Sequence, residues 1–165
     1  MNPGSKLSQL QLRVSKEEKA AIRRAARLAG MDMSAYVLSR VLPPPAAAFQ
    51  RAVAALEGPD KSSFALAQIN SFLSGLSAPE LHRAVATAPE LDLPPFLANY
   101  VAAMVETACA LHNLPVPPWI HRIAPLAEPA FGSALPSLRL YLLTHSPPPF
   151  RRRNIFIDSS IGERV

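Results

Sequence analysis

Residues Lys6 to Leu42 read KLSQLQLRVSKEEKAAIRRAARLAGMDMSAYVLSRVL, and the fold turns on them. The stretch opens with strict alternation: Leu10, Leu12 and Val14 point one way and Gln9, Gln11 and Arg13 the other, the period of a half-buried strand. Ser15 and Glu18 then have the spacing of a capping box, each side chain reaching the other's backbone amide. A helix is expected from about Lys16 to Ala29, with Ala21, Ile22, Ala25, Ala26 and Leu28 as its apolar stripe. Lys19, Arg23, Arg24 and Arg27 face outward, and Gly30 ends it where a left-handed residue is needed. A second helix is expected from N-cap Ser34, with Tyr36, Val37, Leu38 and Val41 apolar, stopping by Leu42 ahead of Pro43.

A unit of about 45 residues is near the size below which a domain needs disulfides, a metal or a partner. With one cysteine and no metal-ligand cluster, the expected partner is a second copy of the chain. Two such strands, antiparallel and apolar face inward, would display Gln9, Gln11 and Arg13 as a ribbon that fits the DNA major groove.

The strand QLQLRV, the Ser15-Lys16-Glu17-Glu18 helix start, Gly30 at the turn and the helix MSAYVLSRVL together resemble the ribbon-helix-helix family of dimeric bacterial DNA-binding proteins. Within it the nearest likeness is to antitoxins of toxin–antitoxin pairs, over about a quarter of the chain. The resemblance implies a mainly α fold: an N-terminal ribbon-helix-helix module (β-α-α, dimeric), then a proline-rich helical domain. It also implies a sequence-specific autorepressor that neutralises a toxin through its C-terminal domain. Gln9 and Gln11 would read adenine and Arg13 guanine, three side chains from each copy. Lys6, Lys16 and Lys19 would rest on phosphates, as would the start of the second helix at Ser34 and Ala35, where amides and the helix dipole favour an anion. Family antitoxins usually carry a shorter, disordered tail; here the remainder is apolar enough to fold.

Charge divides the chain in the same way. The net +5 arises as +5 over residues 1–42, −2 over 43–145 and +2 over 146–165, so the basic excess lies where a phosphate backbone would use it. Pro43-Pro44-Pro45 is a stiff boundary. Beyond it, residues 43–146 are expected to form a helical domain. A helix over Ala46–Leu56 places Phe49, Val53 and Leu56 on one side and ends at Gly58-Pro59. The next starts at Ser62 or Ser63, turns Phe64, Leu66, Ile69, Phe72 and Leu73 inward and ends at Gly75. Ser77 and Glu80 cap a third that runs to about Thr87. Residues Phe96–Leu111 form the central core helix, with Cys109 a buried thiol. His112–Pro136, with six prolines, is expected to be an irregular wrap anchored by Trp119, and Leu138–Thr144 a short helix or strand, with helix favoured between Pro136 and Pro147. In the segment 147–165, three arginines precede a β-prone run. Arg151, Arg152, Arg153, Asn154, Ile155, Phe156 and Ile157 either fold back on their own domain or dock on a partner, the toxin being the candidate.

Catalysis is not expected. His82, His112, His121 and His145 lack ligand spacing, Glu90 and Asp92 do not form a recognisable acid–base pair, and no glycine-rich phosphate loop exists. No cofactor or metal is expected. The polar start and the lack of a long apolar run point to a soluble, cytoplasmic protein. Two alternatives stay open: a plasmid partition or mobilisation accessory protein acting at a transfer origin or centromere repeat, and a dimeric scaffold without DNA readout.

Overall fold

A computed structural model describes residues 11–41, 43–57 and 62–158. The chain divides into two compact units, residues 1–43 and 44–165.

In the first unit, α1 (Lys16–Leu28) packs on α2 (Met33–Val41). The capping box forms: the Ser15 amide donates to Glu18 Oε2 at 2.8 Å and the Glu18 amide to Ser15 Oγ at 3.2 Å. Gly30, at φ +66°, closes α1 with both bonds of a Schellman motif, Gly30 N–H to the Arg27 carbonyl and Met31 N–H to the Ala26 carbonyl. Leu28, placed in the buried stripe, is instead 91% exposed.

The expected β-α-α module is corrected here. Residues 11–14 form no strand, Leu12 and Val14 are exposed, and among the described residues the only strands are two-residue segments of the second unit. Lys6, Gln9 and Leu10 lie outside the described residues. Alternation says which way side chains face; a strand also needs another backbone to take its N–H and C=O groups. Nothing described within the chain supplies one to residues 11–14. The fold is mainly helical.

The second unit stacks α3 (Pro45–Ala54) on α4 (Ser62–Ser74) and α5 (Ala78–Ala84), with α6 (Pro95–Leu111) packed on α4 and α5. Phe49, Val53 and Leu56 are buried as their spacing requires; Gly58-Pro59 lies outside the described residues. On α4 the buried residues are Ala65, Ile69 and Leu73, while Phe64 is 65% exposed. Ser77 and Glu80 start α5, which ends at Ala84 rather than near Thr87. α6 buries Val101 to Val105, Ala108 and Cys109. The proline-rich stretch is more ordered than an irregular wrap. Pro118–Arg122 is a 3-10 turn that buries Trp119 and Ile120, and the Trp119 indole N–H donates to the Val85 carbonyl at 2.8 Å. β1 (Ala130–Phe131) follows, then α7 (Arg139–His145), the short α8 (Pro148–Arg151) and β2 (Ile155–Phe156). β2 pairs parallel with β1, Ala130 opposite Ile155 and Phe131 opposite Phe156. The two phenyl rings stack at 5.2 Å.

Candidate nucleic-acid interface

Of the residues expected to touch DNA, Gln11, Arg13, Lys16, Lys19 and Ser34 are exposed. Lys16 and Lys19 lie on α1; Gln11 and Arg13 precede its cap. The start of α2 is built differently from expectation. Asp32 caps it, its carboxylate Oδ1 accepting from the Ala35 amide at 2.9 Å and its carbonyl from the Tyr36 amide at 2.9 Å. Aspartate caps as well as serine does, and standing two residues earlier it sets the helix start at Met33. The Ala35 amide assigned to a phosphate is therefore occupied. A fixed negative charge sits beside it and opposes a second anion.

Arg23, Arg24 and Arg27 are also exposed on α1, where helical spacing predicts no more than that they face outward. On α2, Arg40 lies over the Tyr36 ring, 5.2 Å from its centroid.

The C-terminal segment folds back, so its assignment as a partner contact is corrected for most of its residues. Ile155, Phe156 and Ile157 are buried, and Arg153 is only 6% exposed. Arg153 forms an ion pair with the buried Glu106 of α6, and its Nη1 donates to Asn99 Oδ1 at 3.1 Å. Arg153 Nη2 also donates to the Ile120 carbonyl at 3.3 Å. Arg152 reaches the other Glu106 oxygen at 2.9 Å from a mostly exposed position. Asn99 completes the set by donating to the Pro95 and Ala124 carbonyls, both at 3.0 Å. Asn154, at φ +62°, turns the chain into β2 and donates to the Leu126 carbonyl at 3.1 Å. Behind it the Ser146 hydroxyl lies within hydrogen-bonding distance of the Leu142 and Ile157 carbonyls, at 2.6 and 2.7 Å. The arginines that looked like a docking handle thus lock α6, the 118–126 turn and β2 together. Arg151 and Arg152 remain exposed.

Burial, reinforced by the Glu106 carboxylate, pushes the Cys109 thiol up, so it stays protonated at neutral pH and is a poor nucleophile. Cys109 lines a largely apolar cavity of about 300 Å³ with Val85, Leu114 and Val116. Among the described residues no group of three His, Cys, Asp or Glu side chains could hold a metal ion. No helix there is long and apolar enough to cross a membrane.

No curated protein and no solved structure matches the chain significantly. The model of the NikA-like family, described as mobilization protein NikA, matches residues 5–53, a span that contains α1, α2 and most of α3.

Proposed function

We propose that the chain is a mobilisation accessory protein whose first unit binds duplex DNA at a transfer origin. One observation carries the reading: the match to a mobilization protein covers the stretch that holds the basic excess of the chain. The same match gives no support to an antitoxin or to a toxin partner.

The chemistry of the exposed residues fits this role. Gln9 and Gln11 have amides suited to adenine edges, and Arg13 has the fork suited to guanine. Lys6, Lys16 and Lys19 would neutralise phosphates without reading sequence. The first unit also calls for a second copy of itself. Among its described residues only Ala26 is fully buried, while Leu12, Val14, Leu28, Met31 and Val41 are exposed. So little burial does not offset the entropy of ordering the unit, and self-association would supply the missing core.

The test is binding of the full chain to a panel of transfer-origin duplexes and to scrambled controls, followed by fluorescence anisotropy. One origin segment should bind about a thousandfold or more above controls. Gln11→Ala and Arg13→Ala should each reduce that preference by about 1–3 kcal/mol while leaving the oligomer intact in sedimentation. A uniform affinity for every duplex, or plasmid transfer that is indifferent to loss of the gene, would rule the reading out.

A further inference from the structure

Cations on α1 occur at spacings that a merely solvated helix avoids. Lys16–Lys19 and Arg24–Arg27 are three apart, and Lys19–Arg23 and Arg23–Arg27 are four apart, so each pair faces itself across one turn. Like charges at these spacings destabilise a helix by a few tenths of a kcal/mol per pair. The acids of α1 relieve none of it: Glu17 and Glu18 have alanine or isoleucine three and four residues on, and Glu18 is engaged in the cap. The ion pairs of Glu106 with Arg152 and Arg153 lie in the other unit. Helical geometry puts Lys16, Lys19, Arg23, Arg24 and Arg27 on one arc whose centre lies opposite the half-buried Ala25 and well away from Ile22, with Lys19 at its edge beside the buried Ala26.

We infer that the outer face of α1 is a phosphate-backbone contact for duplex DNA, independent of sequence and separate from the Gln9–Arg13 segment. The inference rests on the DNA-binding reading above and extends the contact given there to Lys16 and Lys19 on to Arg23, Arg24 and Arg27, which that reading leaves unused. The stripe runs about 16 Å from Lys16 to Arg27, at 1.5 Å per residue. Over that length a duplex presents roughly ten phosphates, at one charge per about 1.7 Å of axis. Three of the five cations are arginines, whose planar forks match phosphate oxygens. Alanine is the only other residue within the arc, as Ala20. A protein-docking patch would have an aromatic or aliphatic centre, whereas the exposed Leu28 lies outside the arc, beyond Arg24. Bound phosphates would also remove the repulsion that the helix carries when free.

The experiment measures the salt dependence of duplex binding by the full chain and by a variant carrying Arg23→Gln, Arg24→Gln and Arg27→Gln. Glutamine keeps helix propensity near that of arginine and removes three of the four like-charge pairs, so circular dichroism should show α1 helicity retained or slightly raised. The slope of log affinity against log salt should become shallower by about 2 to 3, at about 0.9 for each phosphate that is no longer neutralised. Affinity should drop at least about tenfold for specific and random duplexes alike, leaving their ratio unchanged. The triple lysine variant, which keeps the charge, should retain the slope. If the glutamine variant misfolds, Arg24→Gln alone should still lower the slope by about 1. A wild-type slope in the folded glutamine variant overturns the inference, leaving an acidic protein surface or plain solvent as what this face meets. If the wild-type chain itself shows no salt-dependent DNA binding, the reading under Proposed function fails, and this one with it.

Discussion

Glu106 is the residue on which the second unit is most finely balanced. It is 8% exposed on a face of α6 whose other buried polar residue is Asn99, and both its oxygens are engaged by arginines from the C-terminal segment. Removing one partner of a buried ion pair leaves the other charge uncompensated, at about 3–5 kcal/mol. Glu106→Gln should therefore destabilise the chain by about that amount in urea unfolding. The double change Glu106→Met with Arg153→Met should recover much of the loss, since no charge is then left buried. Arg152→Ala, truncating a mostly exposed partner, should shift stability by no more than about 1 kcal/mol. An additive double variant would show that the pair is not coupled. Part of this was legible: a lone glutamate seven residues after Asn99 places two polar groups on one side of the most apolar helix. What the residues could not disclose was which of three consecutive arginines would turn inward. That depends on the left-handed turn at Asn154, set by packing far along the chain.

Among elements, helix starts were the most readable features. The boxes at Ser15 and Ser77 are local, four-residue devices, and both form as spaced. Hydrogen bonds from the Ser77 hydroxyl and amide hold the Glu80 carboxyl below its ordinary value of 4.5. A group whose folded value is depressed stabilises above its unfolded value, and that contribution disappears as pH falls through the folded one. The stability difference between the wild-type chain and Glu80→Gln should thus be constant above about pH 5 and shrink on acidification, as measured by urea midpoints across pH 2 to 7. Ser15→Ala should lower α1 helicity and cost about 1 kcal/mol, with Ser15→Asp restoring it. Asp32 shows the limit of local reading. Two good caps stand two residues apart, and it is Asp32 rather than Ser34 that takes the Ala35 amide. The stretch 11–14 failed for another reason: its pattern described a surface, and no described segment of the chain supplies the hydrogen-bonding neighbour that a strand requires.

For the whole molecule, the partition into a basic front and a rear unit with its own core was visible in charge and proline placement, whereas the fate of the final segment was not. Phe150, Arg153, Ile155 and Ile157 belong to the core of the second unit. Deleting residues 147–165 should therefore abolish cooperative unfolding of that unit and the near-ultraviolet dichroism of buried Trp119, rather than release a partner from an intact domain. Retention of both signals would show that the segment is dispensable. Cys109 gives an independent measure. Its thiol, protonated and 1% exposed, should react with disulfide reagents only in denaturant in the wild-type chain, and readily in the truncated one.

The tie between Arg153 and Glu106 has a consequence for how the protein is made. Residues 150–157 leave the ribosome after every other element of the second unit, yet they neutralise a carboxylate already placed on α6. Nascent chains fold domain by domain from the amino end. The rear unit therefore waits, with a charge in its interior, for its closing segment. Translation that stops short of Arg153 would leave a product that quality-control proteases can distinguish from a finished one.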